Sequence, residues 1–292
     1  MADAADIDRM WDYQDPAGTE LRFRAVLPAA RGGGDVGYLV ELLTQIGRTY
    51  SLRGKFDEAH EVLDEAGGLI AAGMVVPRVR YLLERGRAFN SAGEGERARK
   101  LFMEAWEVAN AAGDDARARE LAIDAAHMIA IAETETQAQL KWNLKALEIA
   151  ERVGSTWRAA LYNNIGWTYH DAGDYPRALE FLEKGLVLRE AAKKEPQLRI
   201  AKYAVAKVWR MMGRVDEALA VQRQLLKQLE EEGEEDGYVN EEVGECLLAT
   251  GEGQEARGQF ARAYALLSKD EWLVRNEGKR IERLKLLATG AA

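Results

Sequence analysis

Disulfide bonds, a cysteine-rich metal module and an excess of positive charge are all missing from this sequence of 292 residues. Its single cysteine, Cys246, cannot form a disulfide framework and indicates a reducing compartment. Asp and Glu number 49 against 40 Lys and Arg. The resulting net charge of -9 argues against an extended surface that binds nucleic-acid phosphates. The composition therefore predicts a protein without a nucleic-acid partner.

Signals for export or membrane insertion are also missing. The first sixteen residues are rich in aspartate, where a signal peptide needs basic residues followed by an apolar stretch. The longest run of low polarity, residues 67–76, is ten residues long, whereas a membrane-spanning helix needs about 20. These absences predict a cytoplasmic protein that makes no contact with a membrane.

What the sequence does contain is an internal repeat with a period near 40 residues. A first column of small residues, called the anchors below, consists of Gly47, Gly86, Ala126, Gly166, Ala206 and Gly244. Seven residues after the anchors stand Gly54, Gly93, Glu133, Gly173, Gly213 and Gly251. Twelve residues after them stand Ala59, Ala98, Ala138, Ala178, Ala218 and Ala256. A fixed period of this length is typical of stacked supersecondary units.

Each repeat is predicted to form a helical hairpin. Apolar residues four before and three after the anchor lie on one face of a first helix. The small anchor allows a second helix to approach closely, and the alanine marks where that returning helix crosses. The glycine between them ends the first helix with a positive φ. Asp57, Asp174 and Asp216 follow three of the turns and are predicted to cap the second helices.

This pattern resembles the tetratricopeptide repeat, most clearly in the segment YNNIGWTYHDAGDYPRALEFL at residues 162–182. The resemblance covers residues 36–267. It implies an all-α fold, a right-handed α-solenoid of about six helical hairpins. The period near 40 is similar to the long repeats of kinesin light chains and bacterial peptide sensors. The segment LLTQIGRTYSLRGKFDEAHEVLDEA also resembles bacterial tetratricopeptide proteins without an assigned activity.

The third repeat departs from the pattern. Glu133 replaces the turn glycine, and Lys145 stands where a small residue is expected. The second helix of this repeat is therefore predicted to be shifted by one residue.

A stack of repeats exposes an apolar face at each end unless a cap covers it. We therefore predict three segments: cap helices and a Gly-rich loop at residues 1–34, six repeats at 35–269, and a capping helix at 270–292. The N-terminal cap is expected to bury Trp11, Tyr13, Leu21, Phe23, Val26 and Leu27. Residues 272–287 are expected to form one amphipathic closing helix.

Catalytic chemistry finds little support in the sequence. The Gly-Glu-Gly segments at residues 93–95 and 251–253 lack the lysine and the preceding strand of a phosphate-binding loop, so they are predicted to be turns. His127 and His170 fall in adjacent repeats on the same predicted face, with Asp124 and Asp171 nearby. A metal or acid-base cluster of these residues is the least favoured reading. No catalytic residue, metal or cofactor is predicted.

The resemblance makes the inner face of the first helices the expected ligand surface, because these rows line the concave side in tetratricopeptide proteins. The residues one position after the anchors are Arg48, Arg87, His127, Trp167, Lys207 and Glu245. Cations and an exposed indole in one groove suit a ligand that is partly apolar and carries a carboxylate. The predicted binding residues are Arg48, Arg87, Asn90, Asp124, His127, Asn163, Trp167, His170, Tyr203, Lys207 and Arg210. Ordinary solvated helix residues are the alternative reading of the same rows.

Three functions stay open at this point. The leading one is a noncatalytic scaffold that holds an acidic or carboxylate-bearing peptide or protein segment in the groove. The second is a regulatory sensor of a small peptide or metabolite, and the third is an enzyme that uses His127 and His170. The carboxylate clamp by which some tetratricopeptide proteins grip chaperone tails is not reproduced, since Ile123 and Ala204 replace its polar residues. Self-association is left open.

Overall fold

The computed structural model describes residues 4–193 and 195–290, and these residues form sixteen helices without a β-strand. The helices are α1 (Ala4–Arg9), α2 (Pro16–Gly32), α3 (Val36–Ser51), α4 (Phe56–Gly68), α5 (Val75–Ser91), α6 (Gly95–Asn110), α7 (Ala116–Ala132), α8 (Thr136–Val153), α9 (Arg158–Asp171), α10 (Tyr175–Ala192), α11 (Glu195–Met211), α12 (Val215–Glu232), α13 (Gly237–Ala249), α14 (Gly253–Leu267), α15 (Glu271–Asn276) and α16 (Gly278–Thr289). The predicted all-α solenoid of helical hairpins is confirmed. The outer ends of the two predicted caps, residues 1–3 and 291–292, lie outside the described residues.

The chain divides into two compact units, Met1–Leu161 and Tyr162–Ala292. In the first unit, α3, α5 and α7 are first helices that each pack against the following helix, and α5 also contacts both α3 and α7. In the second unit, α11 and α13 contact each other and pack against α12 and α14. This division was not predicted, because the repeat period continues across the boundary.

The predicted turn glycines end their helices as expected. Gly54, Gly93, Gly173, Gly213 and Gly251 all have positive φ, between 70° and 86°. The residue after each glycine donates its backbone N–H to a carbonyl five residues earlier, as Lys55 does to Tyr50 and Glu94 to Phe89. This bond satisfies a carbonyl at the helix end that has no partner within the helix. Glu133, which replaces the glycine in the third repeat, ends α7 in an extended conformation instead.

Only one of the three predicted aspartate caps is correct. The Asp174 carboxylate accepts the backbone N–H of Arg177 at the start of α10. Asp57 and Asp216 lie inside the first turns of α4 and α12, and the residues before those helices make no side-chain cap. Each of these two helices begins two residues earlier than the cap prediction required. There the acidic groups face the positive end of the helix dipole.

The anchors bring the two helices of a hairpin into close contact. A methyl group built on Gly86 would lie 2.4 Å from the Phe102 ring, and one on Gly166 would lie 2.5 Å from Cγ of Leu182. The alanine column is buried in five of the six repeats, where each member is at most 1% exposed: Ala59, Ala98, Ala178, Ala218 and Ala256. Large second-helix side chains therefore fill the space that small anchors leave.

The third repeat contains the predicted shift of one residue. Ala138 is half-buried, whereas Ala146, one residue beyond Lys145, is fully buried. The same shift brings Asn143 to the position that Phe102 and Leu182 occupy in other repeats, and Asn143 is 5% exposed. A polar side chain therefore replaces a large apolar one at this hairpin contact.

The two end segments differ in part from their predictions. Phe23 and Leu27 of α2 are buried, with Trp11 and Val26 packed against them, but Tyr13 and Leu21 are 59% and 71% exposed. Residues 272–287 do not form one closing helix, because the helical conformation is interrupted at Glu277, between α15 and α16. Leu273, Ile281 and Leu284 bury the predicted apolar face, whereas Trp272 is 63% exposed.

Replacing the anchor glycine of the last hairpin should weaken the fold. In Gly244→Ala the new methyl group would lie 2.8 Å from the ring of Phe260, which is 1% exposed and cannot move freely. We expect the free energy of unfolding to fall by about 1 to 3 kcal/mol, as overpacking typically does. Urea denaturation followed by circular dichroism measures this change.

Gly258→Ala, in the partner helix of the same hairpin, is the matched control. Gly258 is exposed within α14, and a methyl group there meets no atom within 4 Å. This variant should gain about 0.5 to 1 kcal/mol, because alanine loses less backbone entropy than glycine in a helix. If both variants gain stability, the close contact at Gly244 is misplaced.

Candidate functional site

Most of the predicted inner-face cations are paired with carboxylates of the next first helix. Arg48 lies 3.0 Å from Glu84, and Lys207 lies 2.9 Å from Glu242. Arg87 contacts both Glu84 and Asp124. Each of these acids stands two residues before an anchor, so that a cation of one helix faces an acid of its neighbour. Acids occupy this position in three of the six repeats, and that signal was missed.

The carboxylates of these ion pairs are buried in the packed interior. Glu84, Asp124 and Glu242 are 5%, 9% and 1% exposed. A buried carboxylate without a counter-ion is strongly unfavourable, so each acid requires its cation. Burial alone would lower the pKa of Arg87, but the carboxylates of Asp124 and Glu84 outweigh this and raise it. The predicted inner-face charges of the first unit therefore neutralise one another.

The two other predicted residues of the first unit are Asn90 and His127. Asn90 is half-buried in the last turn of α5. His127 has Nδ1 3.5 Å from the Asn143 amide oxygen, and its ring centre lies 5.5 Å from that of Trp157. Burial lowers the pKa of His127 despite the nearby Asp124 carboxylate. The neutral imidazole therefore predominates at neutral pH.

His127 and His170, weighed as an acid-base cluster and not favoured, belong to different units. His170 pairs its Nδ1 with the Asp171 carboxylate at 2.9 Å, and its ring packs against Trp167 at 5.0 Å and Tyr175 at 5.7 Å. Within the described part of the chain, no group of three or more His, Cys, Asp or Glu side chains is arranged to hold a metal ion. The enzyme reading therefore gains no support from this geometry.

Four predicted binding residues meet in a cleft of about 680 Å³ in the second unit. They are Trp167, His170, Tyr203 and Lys207. The remaining lining residues were not predicted: Asp171, Pro196, Arg199, Ile200, Asp236, Tyr238, Val239, Glu277 and Arg280. Ile200 was detectable as an apolar residue that the repeat pattern does not bury, and it is 57% exposed.

Two other predicted residues of this unit do not line the cleft. Arg210 lies one helical turn from Lys207 and shares the Glu242 carboxylate with it. Asn163 is half-buried on α9, with its amide nitrogen 3.5 Å from the side-chain oxygen of Asn164. Arg210 is therefore linked to the cleft lining by the Glu242 carboxylate that it shares with Lys207.

The three basic side chains of the cleft differ in how completely they are neutralised. Arg199 has two carboxylate partners, Glu232 and Glu234, each at 2.6 Å. Arg280 also has two, Glu241 and Glu277. Lys207 and Arg210, in contrast, share the single carboxylate of Glu242. The group around Lys207 therefore has one cation more than carboxylates, whereas the groups around Arg199 and Arg280 each have one carboxylate more than cations.

Tyr203 adds a neutral aromatic surface beside this charge. Its pKa is raised well above 10.0 by burial and by the carboxylates of Glu242 and Glu241. The Lys207 ammonium lies 5.8 Å from the centre of the Tyr203 ring. The cleft thus presents the Lys207 cation beside an aromatic side chain.

Both the sequence and the structure are similar to those of tetratricopeptide repeat proteins. Residues 140–191 match the tetratricopeptide repeat family. A signal transduction ATPase with a tetratricopeptide repeat sensor from Pyrococcus horikoshii is similar in structure, with a TM-score of 0.71 at 15% identity. The match covers 95% of this chain but 45% of that protein. A tetratricopeptide repeat protein from Parabacteroides merdae matches at a TM-score of 0.54 and 17% identity, over 97% of both chains.

NprR, solved in complex with its cognate peptide NprX, is a third similar structure. Its TM-score is 0.54 at 17% identity, over 86% of this chain and 72% of NprR. No curated protein matches the chain in sequence. The protein therefore has a tetratricopeptide repeat fold, and the predicted resemblance is confirmed. Among the described helices, none has both the length and the apolar character required to cross a membrane.

Glu242→Gln should destabilise the second unit, because Lys207 and Arg210 would then lack a counter-ion in a buried position. We expect the free energy of unfolding at pH 7 to fall by about 3 to 5 kcal/mol. Burial raises the pKa of Glu242, but the hydrogen bond from Arg210 and the charge of Lys207 outweigh it and leave the pKa below 4.5. The ionised carboxylate therefore stabilises the protein above pH 4.5, and this contribution is lost as the pH falls through the lowered pKa.

Urea denaturation of parent and variant at several pH values measures both effects. The difference between them should be largest near neutral pH and should shrink below pH 4.5. Glu217→Gln is the control, because Glu217 pairs with Arg214 on an exposed helix surface and should matter little. Equal stability of parent and Glu242→Gln at pH 7 would contradict the assigned pair.

Proposed function

We propose that the protein is a noncatalytic module that binds a peptide or protein segment in the second-unit cleft. The observation that carries the proposal is the cleft itself, which is lined by Lys207 together with apolar side chains such as Trp167 and Ile200. A concave site with apolar walls and a few polar groups is typical of ligand binding. The similar fold of NprR, which was solved with a bound peptide, supports this choice. Tetratricopeptide repeats generally mediate protein interactions, and the proposal requires no catalytic group.

Lys207 would select a carboxylate on the ligand. Its ammonium carries three N–H donors, and Glu242 is its one carboxylate partner among the described residues. Its side chain is 17% exposed and lines the cleft. A hydrogen bond between this ammonium and a ligand carboxylate would be charge-assisted and partly shielded from water. An acidic side chain or a free C-terminus of the bound segment would supply the carboxylate.

The apolar walls would bind a bulky side chain of the same segment. Trp167 is partly exposed, and Ile200 and Tyr238 are 57% and 38% exposed. Burying such surface is favourable, and tryptophan and tyrosine often dominate binding energy. We therefore propose a segment that places a carboxylate at Lys207 and an apolar side chain beside Trp167.

A regulatory sensor is the second candidate. The Pyrococcus protein whose fold covers 95% of this chain carries a tetratricopeptide repeat sensor. A sensor differs from a scaffold because its ligand must favour one of two conformations. Hydrogen exchange separates the two functions: a scaffold gains protection only around the cleft, whereas a sensor also changes in helices away from it.

Substitutions in the cleft should separate the two parts of the proposed site. The probes are fluorescent short peptides with an aromatic or aliphatic C-terminal residue, each made as a free acid and as an amide. Lys207→Gln should weaken binding of the free acids by about ten- to a hundredfold, since hydrogen bonds to charged groups contribute about 1.5 to 3 kcal/mol. Trp167→Ala should weaken acids and amides alike, because it removes apolar contact area. Fluorescence polarisation measures both effects.

Matched controls come from the same unit. Lys227→Gln removes an exposed lysine of α12, and Trp272→Ala removes an indole that is 63% exposed outside the cleft. Neither should change the affinity. The proposal is wrong if no peptide binds the parent, or if free acids and amides bind the parent and Lys207→Gln equally well.

A further inference from the structure

A short segment of the chain covers the inner face of the first unit. This cover segment consists of residues 7–13, which lie across α3 and α5. The Asp8 carboxylate lies 3.2 Å from the Arg80 guanidinium on α5. The Trp11 indole N–H donates to the Gln45 side chain on α3 at 2.9 Å. The segment therefore contacts two successive first helices, as a bound peptide would.

The cover segment also occupies the surface around a predicted ligand-binding residue. Trp11 and Tyr13 stack in parallel, with ring centres 4.7 Å apart. The Arg48 guanidinium lies 5.9 Å from the Trp11 ring and 5.6 Å from the Tyr13 ring. Such cation–π contacts favour an aromatic residue at this position. Arg48, expected from the sequence to face a ligand, therefore faces part of its own chain.

The side chains beneath the cover segment are held in place by ion pairs that do not involve the segment. Arg80 pairs with Glu41 at 3.1 Å, and Arg48 pairs with Glu84. These partners belong to α3 and α5, so the receiving side chains stay in position when the segment leaves. Ile7, at 1% exposed, anchors one end of the segment, whereas Tyr13 is 59% exposed at the other. The Asp8 side chain is 61% exposed, and ion pairs of such exposure stabilise little.

We propose that the cover segment is a built-in ligand, and that it competes with a partner segment of the same chemistry. The partner would present an acidic side chain to Arg80 and, three residues later, an aromatic side chain to Gln45 and Arg48. Acidic and aromatic groups are chosen because Asp8 and Trp11 make these contacts within the chain. This site lies in the first unit and is independent of the cleft proposed above.

The test uses a synthetic fluorescent peptide of residues 4–14, AADIDRMWDYQ, and the full chain. In the Asp8→Ala/Trp11→Ala double variant, the cover segment loses its side-chain contacts with Arg80 and Gln45 and makes these two side chains accessible. Its hydrogen bonds to Arg22 and Thr19 of α2 remain. The peptide should bind this variant about ten- to a hundredfold more tightly than the parent, because an occupied site lowers the apparent affinity by its free fraction. Adding Arg80→Ala to the double variant should abolish the gain. A peptide with both residues replaced by alanine is the control ligand.

The result that overturns the proposal is a folded double variant that binds the peptide no better than the parent does. Equal binding with and without Arg80→Ala also overturns it. If circular dichroism shows that the double variant does not fold, hydrogen exchange of the parent decides the question. Excess peptide should accelerate exchange in residues 7–13 while α3 stays protected, and unchanged exchange there rejects displacement.

Discussion

The close contact between a small anchor and a large second-helix side chain is the constraint on which the rest of the structure depends. Gly86 leaves room for Phe102, and Gly166 leaves room for Leu182, so each pair of helices approaches until the larger side chain fills the space. Packing of this kind is sensitive to a single methyl group, because protein interiors are close-packed. The contact fixes how the hairpin folds. Repetition of the hairpin then brings successive first helices side by side within each unit.

Side-by-side first helices make the buried ion pairs possible. A cation one residue after an anchor meets an acid two residues before the next anchor, as Arg48 meets Glu84 and Lys207 meets Glu242. Replacing such pairs by apolar groups often leaves stability unchanged or improves it, so the pairs themselves are weak evidence for stability. Breaking one is costly, however, since it leaves a charge buried alone. We infer that the pairs favour one register between neighbouring first helices.

This pairing of a cation with an acid of the next first helix leaves different surfaces in the two units. In the first unit, Arg48 and Arg87 are matched by Glu84 and Asp124, and the cover segment lies over Arg48. In the second unit, Lys207 and Arg210 share one carboxylate beside a cleft with exposed apolar side chains. The two units therefore differ in whether each of these cations has a carboxylate of its own. The two proposed binding sites accordingly rest on different features, the cover segment in the first unit and the cleft beside Lys207 in the second.

The sequence by itself determined the hairpins, because they depend on local and periodic features. The turn glycines have positive φ where the pattern required it, and the substitution at Glu133 correctly predicted the shifted helix of the third repeat. Anchors and buried alanines could be found for a related reason. Their small size is needed at every repeat, so they recur as columns.

Only the tertiary structure decided which inner-face residues are available to a ligand. Arg48, Arg87 and Lys207 occupy equivalent positions in the sequence, yet their partners on the next first helix lie 35 to 37 residues away. Arg48 alone also faces the cover segment. The break between α15 and α16 and the exposure of Tyr13 likewise depend on packing at the ends of the chain. The energy of a charged or aromatic side chain is set by what surrounds it in space. Periodicity identifies the face on which such a residue lies, but its partners come from distant parts of the chain.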